Sequence, residues 1–376
     1  MDKAIKVLSL VPYKFLPPDM GGQKGIAFFN RYLSKKLNLF CVTNKANANH
    51  SESYPVSNIL GNSKFRYINP AYFFTLRRII KKEKITHLIL EHPYYGWLAI
   101  LLKWFCKIKL IVHSHNIEGL RFKSMNKWWW GILWHYEKMV HRQADHNFFI
   151  HDTDRDYAIN NFKLLLLKCT TITYGFEYPA IPAANEQVNA RTFICRKHNI
   201  PEINRILLFN GTLGYKPNLD ALDTILQQIN PLLLASAGFQ YTIIICGNKL
   251  PIEYSGLEDY KGKNIIYAGF VDDINVYFKG VDVFINPVTD GGGIKTKLVE
   301  ALGYNCSVVS TNSGANGIPL EITAEKMVLV ADGDWELFAD AIIQINPNIQ
   351  TPDIYFNHFY WGNITQKAAA VITACR

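Results

Sequence analysis

The 376-residue sequence lacks the long apolar run that a membrane-spanning helix requires. Such a helix takes about 20 consecutive apolar residues, and the apolar stretch Gly96–Leu102 ends at Lys103. The apolar segment Ile5–Val11 is short and stops at Pro12, so we expect no signal peptide. Seven scattered cysteines without a C-x-x-C pair predict reduced thiols, a cytoplasmic location and no zinc ribbon.

Two phosphate-binding fingerprints of α/β proteins are also missing. The sequence contains neither the dinucleotide-binding pattern G-x-G-x-x-G nor the P-loop pattern G-x-x-x-x-G-K-[ST]. These absences argue against an NAD-dependent enzyme and against a P-loop NTPase.

Positive charge is concentrated in the first half of the chain. Residues 1–185 hold 26 Lys+Arg and 12 Asp+Glu, a net charge of +14, whereas residues 186–376 hold 14 and 19, a net charge of −5. A basic half attracts phosphate-rich partners such as an anionic lipid headgroup or a phosphorylated acceptor. Two aromatic and basic helices predicted there, Tyr72–Lys84 and Trp128–Arg142, suit a lipid–water boundary or packing on a sheet. No nucleic acid is expected, because no nucleic-acid-binding motif accompanies the charge.

Short apolar strands alternate with helical patterns along both halves. This alternation predicts an α/β protein with two Rossmann-like, doubly wound and mostly parallel sheets. The Pro- and Ala-rich run Tyr178–Asn189 predicts the linker between them. We therefore expect a first domain over residues 1–182, a second over 183–354, and a terminal helix over 355–376 that crosses back to the first domain.

A glycine-rich stretch, Thr289–Gly303, is the strongest candidate for a binding site. A predicted strand, Asp282–Val288, leads into three glycines, and a helical pattern, Ile294–Leu302, follows. Unpaired N–H groups and the helix dipole make such a helix start an anion site, and glycine lets an anion approach the backbone.

Helical spacing places Gly293, Lys297 and Glu300 on one face of that helix. The face offers a cation for phosphate and a carboxylate for a sugar or ribose hydroxyl. An ordinary βα turn with a solvated Lys–Glu pair fits the same residues, so the stretch alone leaves both interpretations open.

Several motifs, taken in order, resemble those of the glycosyltransferases of the GT-B fold. The pattern P-x-x-M-G-G stands at 17–22 and G-G-G-I-K-T-K-L-V-E-A-L-G-Y at 291–304. Shorter pieces between and after them are F-N-G-T-L-G-Y-K-P-N at 209–218, G-F-V-D-D-I at 269–274, T-Y-G-F-E at 173–177, S-T-N-S-G-A-N-G-I at 310–318 and F-Y-W at 359–361. The resemblance covers essentially the whole chain. More narrowly, the motifs resemble those of glycosyltransferase family 4 (group 1). This resemblance implies two domains facing a cleft, a nucleotide diphosphate sugar in the C-terminal domain, an acceptor in the N-terminal domain, and retention of configuration.

The resemblance assigns roles in the C-terminal domain. Gly211 and Lys216 match the diphosphate-binding loop. Lys295 or Lys297 provides a second cation, with helix geometry favouring Lys297. Glu300 matches the second glutamate of the family's E-x7-E pattern, which bonds the ribose or the sugar.

In the N-terminal domain, Gly21 and Gly22 match the loop that approaches the donor phosphate. His113 or His115 matches the histidine that contacts the transferred sugar. The predicted site thus has catalytic residues His113, His115 and Glu300, and donor-binding residues Gly21, Gly22, Gly211, Lys216, Asp290, Gly292, Gly293, Lys295, Lys297 and Glu300.

One position departs from the family's pattern. The first glutamate of E-x7-E falls at Gly292, eight residues before Glu300. The sugar contact of that carboxylate must come from backbone amides, from Asp290, or not at all.

No metal or other cofactor is expected. Fixed lysines and helix N–H groups can stabilise a leaving diphosphate without a metal. The metal-binding pattern D-x-D occurs at Asp152–Asp154 and Asp332–Asp334, but both precede predicted helices, where aspartate is a preferred capping residue.

The expected function is transfer of a hexose or hexosamine to a hydroxyl of a polysaccharide, lipopolysaccharide or glycolipid precursor. The basic N-terminal domain would contact the cytoplasmic face of an anionic membrane. A nucleotide-sugar epimerase or hydrolase would use the same donor site, and a sugar-nucleotide-binding protein without catalysis would share the fold.

Overall fold

A computed structural model describes residues 5–18, 21–47, 52–291 and 293–375. The chain divides into two compact units. Unit 1 comprises Met1–Glu177 with Phe359–Arg376, and unit 2 comprises Tyr178–His358. The last residues of the chain therefore belong with the first unit, and the division falls at Tyr178, a few residues before the position expected from the sequence.

The described part of unit 1 contains a parallel sheet of seven strands in the order β3-β2-β1-β4-β5-β6-β7. The strands are β1 (Lys6–Leu10), β2 (Asn38–Asn44), β3 (Val56–Leu60), β4 (His87–Glu91), β5 (Lys109–Ser114), β6 (His146–Phe149) and β7 (Cys169–Thr171). The helices are α1 (Gly21–Leu33), α2 (Ala71–Glu83), α3 (Gly96–Cys106), α4 (Glu118–Ser124), α5 (Trp130–Gln143), α6 (Asp152–Phe162) and the C-terminal α14 (Trp361–Ala374).

The described part of unit 2 contains a second parallel sheet, of six strands in the order β10-β9-β8-β11-β12-β13. The strands are β8 (Arg205–Asn210), β9 (Tyr241–Cys246), β10 (Ile265–Gly269), β11 (Val283–Asn286), β12 (Ser307–Thr311) and β13 (Met327–Val330). The helices are α7 (Ala184–His198), α8 (Lys216–Thr224), α9 (Asn230–Ala235), α10 (Ile274–Gly280), α11 (Thr296–Gly303), α12 (Trp335–Gln344) and α13 (Asp353–Phe359). The prediction of two doubly wound α/β domains is confirmed.

Strand order decides where each sheet can bind a ligand. The order reverses between β1 and β4 in unit 1, and between β8 and β11 in unit 2. At such a reversal the connections leave on opposite faces, and a crevice opens at the carboxyl ends of the strands. We therefore expect ligand-binding residues in the loops that follow these four strands.

Three sequence expectations about local structure were wrong. The polar and turn-rich composition of residues 45–69 predicts irregular structure, but the segment contains β3, which pairs with β2 in parallel through Cys41 and Val56. The short helix α4 was not foreseen, because its few residues follow a polar stretch. The expected structureless linker is also shorter, since α7 begins at Ala184.

The C-terminal segment is two helices rather than one, because the chain is extended at Tyr360 between α13 and α14. There it docks on the end of the first unit. Phe176 N–H donates to the Phe359 carbonyl at 2.5 Å, and Trp361 N–H donates to the Phe176 carbonyl at 2.9 Å. A Cβ at Gly175 would lie 2.6 Å from the Trp361 ring, so only glycine allows this approach. Two motifs recognised separately in the sequence are thus in contact.

In the described part of the chain, no helix combines the length and the apolar character needed to cross a membrane.

Helix packing in unit 1 makes Gly96 intolerant of a larger side chain. A Cβ at Gly96 would lie 2.1 Å and 2.8 Å from the two Val140 methyl carbons of α5. We expect Gly96→Ala to lower the free energy of unfolding by about 1–3 kcal/mol through overpacking. Urea denaturation followed by circular dichroism measures the change.

Gly131→Ala is the matched control, since a Cβ there meets nothing within 4 Å. Alanine in a helix is favoured over glycine, so the free energy of unfolding of this variant should equal that of the wild type or exceed it by up to about 1 kcal/mol. Equal destabilisation by both substitutions would contradict the packing argument.

Candidate active site

The glycine-rich loop of unit 2 lies between β11 and α11. Gly291 and Gly293 have φ angles of 94° and 75°, in the left-handed region that favours glycine. Helix α11 begins only at Thr296, and Lys295 precedes it without capping it through its side chain. The expectation that Gly293 shares a helical face with Lys297 and Glu300 is therefore wrong, because the turn at Gly293 lies outside the helix. Gly292 lies outside the described residues.

Lys297 extends from the first turn of α11 to the carboxyl end of β8. Its Nζ donates to the Asn210 carbonyl at 3.2 Å and to Asn218 Oδ1 at 3.3 Å. The ammonium group also lies 4.8 Å from the centre of the Phe209 ring. None of the described carboxylates forms an ion pair with it. The position at the strand reversal, together with neutral partners, leaves the charge available for an anion.

Burial shifts the pKa of both lysines in this loop. Burial and then the positive charge of Lys295 lower the pKa of Lys297 to about 7. Burial also lowers the pKa of Lys295, against the opposing effect of Asp290. Lys295 Nζ donates to the carbonyls of Gly291 and Gly293. An anion bound beside these groups would restore the charged form of Lys297, because it offsets the cost of burying the ammonium.

The other unit 2 residues predicted for the donor site lie around the same loop or on its helix. A Cβ at Gly211 would lie 2.7 Å from Asn218 Nδ2, so glycine permits the close start of α8. Lys216 begins α8, but its exposed Nζ pairs with Asp220 at 2.7 Å, so it is already engaged. Asp290 is exposed and accepts from the Gly291 N–H at 2.6 Å.

Glu300 is half-buried on α11. The Tyr355 hydroxyl donates to the carbonyl of the preceding residue, Val299, at 2.6 Å. Burial raises the pKa of Tyr355, and the charge of Glu300 raises it further. Glu300 thus lies near a neutral phenol, on the helix that carries Lys297.

In unit 1, Gly21 and Gly22 lie at a helix start rather than in a loop. Both belong to the first turn of α1, and a Cβ at Gly22 would meet nothing within 4 Å. The prolines and glycines of residues 12–25 predict a long loop, but α1 already begins at Gly21, and steric need does not account for Gly22.

A buried carboxylate organises the carboxyl end of β4 and β5. Glu91 ends β4 and is paired in register with His113 of β5. His113 Nδ1 donates to Glu91 Oε2 at 3.0 Å, and His115 Nε2 donates to the same oxygen at 2.7 Å. The two imidazole rings lie 4.6 Å apart. Both predicted histidines thus contact one carboxylate, Glu91, which the sequence patterns do not single out.

The two histidines differ in their surroundings. His113 is 2% exposed and lies against Phe29, with ring centres 4.7 Å apart. Its Nε2 has no hydrogen-bond partner among the described residues. The His115 side chain is 9% exposed and is the more accessible of the pair. We therefore regard His115 as the better candidate for contact with a substrate.

A second histidine–carboxylate pair lies beside the first. His92 Nδ1 donates to Glu118 Oε1 at 3.0 Å, and the Tyr13 hydroxyl lies 2.7 Å from His92 Nε2. Arg121 also bonds Glu118, at 3.3 Å. The His92 and His115 rings are stacked with centres 4.4 Å apart and planes 17° from parallel.

The pKa values follow from these contacts. Although burial alone would raise it, the two histidine donors hold the pKa of Glu91 well below its usual range. Glu118 has a lowered pKa for the same reason, through His92 and Arg121. Burial, and then repulsion from His92 and His113, lower the pKa of His115 to about 4. At neutral pH the cluster therefore has ionised glutamates and a neutral His115.

Another buried glutamate holds the start of α4. The Glu137 carboxylate accepts from the N–H groups of Glu118 and Gly119 at 3.0 Å and 2.9 Å. Burial raises the pKa of Glu137 to about 8. The two carboxyl oxygens accept from amides that have no partner within the helix, and so fix the backbone of Glu118.

Comparison with known proteins identifies the family of this chain. The model for Glycosyltransferase Family 4 matches residues 27–175, and the model for Glycosyl transferases group 1 matches residues 204–347. A Klebsiella pneumoniae protein, described as an uncharacterized 44.6 kDa protein in the cps region, is 31% identical over 299 residues, 76% of this chain and 71% of its own. The chain belongs to the group 1 glycosyltransferases of the family 4 type.

Solved structures agree with this fold. A sucrose-phosphate synthase from Thermosynechococcus elongatus has a TM-score of 0.74 at 14% identity, covering 98% of each chain. Anabaena HepE, solved in complex with UDP, has a TM-score of 0.71 at 14% identity, covering 98% of this chain and all of its own. Likeness at this identity shows the GT-B fold, and the family assignment confirms a glycosyltransferase.

Sequence patterns identify His113 and His115 but not the other three members of this histidine–carboxylate cluster, Glu91, His92 and Glu118. The available signal was a carboxylate at the end of one predicted parallel strand and histidines at the end of the next, because such ends meet at one sheet edge.

The ligand atoms of Glu91, His113 and His115 lie within 4.8 Å of one another, a spacing that would also suit a metal ion. Two histidines and a carboxylate are a known zinc donor set. In this structure His113 Nδ1 and His115 Nε2 donate to Glu91, so an ion bound by these atoms would replace those two hydrogen bonds.

Proposed function

We propose that this glycosyltransferase moves a hexosyl or hexosaminyl group from a nucleotide diphosphate sugar to a hydroxyl of a polysaccharide or glycolipid precursor. The observation that carries the proposal is Lys297, a half-buried ammonium without a carboxylate partner among the described residues, at the start of α11. Lys295 and the glycine loop lie beside it. These groups suit a diphosphate, whose charge grows as the bond to the sugar breaks.

The comparisons support the choice of donor and of pathway class. Anabaena HepE was solved with UDP, which favours a uridine nucleotide among the donors to be tested. The Klebsiella relative is placed in a cps region. We infer that the acceptor is a glycan or lipid-linked glycan, which the basic first half of the chain would attract if it carries phosphate.

We propose retention of configuration at the transferred sugar. In this mechanism the bond from the anomeric carbon to the diphosphate breaks, and a bond from that carbon to the acceptor oxygen forms on the same face. The acceptor proton passes to an oxygen of the leaving diphosphate. Glu91 and Glu118 are both occupied by histidines, so neither offers a free nucleophile for a covalent intermediate.

We assign distinct roles to His115 and Glu300 in this mechanism. His115 is neutral at pH 7 and suits hydrogen bonding to a sugar hydroxyl. Glu300 bonds the ribose or the sugar. Because Gly292 has no carboxylate, backbone amides or Asp290 bond the sugar in its place.

Lys297→Met should weaken binding of the nucleotide sugar. Loss of one charge-assisted contact to a diphosphate costs about 1.5–3 kcal/mol, or about 10- to 100-fold in Kd. The wild-type Kd should also rise about tenfold or more from pH 7 to pH 9, because Lys297 has a pKa of about 7 and the anion binds its protonated form. Isothermal titration calorimetry with UDP-sugars measures both effects.

In the Lys297→Met variant the pH dependence should be largely lost. Lys261→Met is the control, since this exposed lysine of unit 2 pairs with Glu258 away from the loop. Equal Kd values for wild type and Lys297→Met, or no binding of UDP-, GDP- or ADP-sugars to the wild type, would contradict the proposed donor site.

We also propose that transfer needs no metal, since Lys295 and Lys297 supply the positive charge that a metal-bound donor would otherwise require. Incubation with EDTA followed by gel filtration should leave the transfer rate unchanged. A rate that falls and returns with Mn²⁺ or Mg²⁺ would indicate a metal-bound donor. Recovery with Zn²⁺ alone would point instead to Glu91, His113 and His115.

We propose in addition that unit 1 contacts an anionic membrane surface. Trp128 is 85% exposed and Ile132 is 68% exposed, and Lys127 and Lys123 lie close to them in the sequence. Trp134 is not available, because its Nε1 donates to the Tyr157 hydroxyl at 3.0 Å. The contact therefore rests on the start of α5 rather than on all of its aromatic residues.

Vesicle sedimentation tests this contact. The protein should bind vesicles that contain phosphatidylglycerol more than vesicles of phosphatidylcholine alone, and Trp128→Ser with Ile132→Ser should reduce binding severalfold. Phe270→Ser is the control, because Phe270 is an aromatic residue of unit 2 with 71% exposure. Equal binding to both vesicle types would remove the membrane proposal.

A further inference from the structure

His92 has a backbone conformation that residues other than glycine rarely adopt. Its φ and ψ angles are 63° and 156°, directly after β4. This region is almost confined to glycine, and a side chain persists there only where surrounding contacts over-determine it. His92 is also 4% exposed, so those contacts are internal.

Both nitrogen atoms of the His92 ring are in use, and two aromatic rings stack near it. Nδ1 donates to Glu118, so Nε2 is the acceptor for the Tyr13 hydroxyl. One neighbouring ring is His115, at 4.4 Å, and another is Tyr94, at 5.6 Å and 14° from parallel. A side chain held at its two nitrogens and stacked on two rings has one orientation.

This orientation constrains His115. The hydrogen bond to Glu91 fixes His115 at Nε2, but one bond leaves the ring free to tilt about that atom. The stack on His92 supports the ring plane as well. Glu118 keeps His92 in position, and Glu137 in turn fixes the Glu118 backbone. The chain of contacts therefore ends at the histidine assigned to the sugar.

The same side chain reaches the loop after β1. Tyr13 lies three residues beyond the end of that strand, and burial raises the pKa of its hydroxyl, which stays protonated. The Tyr13 hydroxyl is a donor to His92. His92 thus links the loops that follow β1, β4 and β5, and the first two of these strands border the reversal of strand order.

We propose that His92 is a positioning residue for sugar transfer, which holds the His115 ring by stacking and ties the Tyr13 loop to Glu118. The assignment rests on the proposed role of His115 at the transferred sugar. His92 itself does not touch the reacting atoms. The strained backbone is retained because glycine, which would fit it, has no side chain to do this.

Three variants separate positioning from stability. His92→Gly removes the ring and relieves the backbone, whereas His92→Ala removes the ring and keeps the strain. His92→Phe keeps an aromatic ring but loses both hydrogen bonds. We expect kcat to fall at least about tenfold in the glycine and alanine variants alike and less in the phenylalanine variant, with the donor KM changed less than about threefold.

Urea denaturation distinguishes a positioning role from a purely structural one. The urea midpoint of His92→Gly should be at or above that of His92→Ala, although both lose activity equally. A His92→Gly protein with wild-type kcat would overturn the proposal. So would a kcat that follows the urea midpoint across the three variants.

NMR spectroscopy tests the contact between His92 and His115 independently of sugar transfer. In protein labelled with ¹⁵N-histidine, the His115 Nε2–H bonded to Glu91 should give a protected signal that broadens in His92→Gly. His135→Ala, at an exposed position on α5, should leave it unchanged. If the wild type transfers no sugar but the signal broadens, the proposed function fails and the positioning contact stands. An unchanged signal overturns the positioning contact.

Discussion

A buried carboxylate must find donors, and this requirement shapes the first unit. Glu91 lies at the end of β4 with no exposure to solvent. An unpaired charge there would cost far more than the fold could offset. The parallel register of β4 with β5 places His113 opposite it, and His115 follows two residues later on the same side. Sheet register, burial and hydrogen bonding therefore fix the same cluster.

Glu118 and Glu137 extend this logic away from the sheet. Glu118 receives His92 and Arg121, while Glu137 receives the amides that begin α4. Each carboxyl group has hydrogen-bond donors, and each such pair restricts the position of the side chains in the next pair. A polar network of this kind rigidifies a site when every member has a partner. A neutral His115 stacked on His92 suits the hydrogen bond to a sugar hydroxyl that we propose for it.

The second unit solves the opposite problem. Lys297 is a half-buried cation whose neighbours are two oxygen atoms of neutral groups and an aromatic ring. Its lowered pKa expresses the cost of that arrangement. A bound anion would reduce the cost, so binding and ionisation are coupled. One unit thus completes its charges internally, and the other leaves a charge for its ligand.

The sequence by itself determined the α/β class, the two-domain plan and the position of the glycine-rich loop before α11. Alternating apolar strands and helices, and the glycines before Thr296, are local patterns whose physics needs no distant partner. Only the tertiary structure decided that Glu91, His92 and Glu118 join His115, that Lys216 is occupied by Asp220, and that Gly293 lies outside α11. The reason is that strand register and side-chain pairing depend on residues far apart in the chain, while spacing along the chain reports only on neighbours.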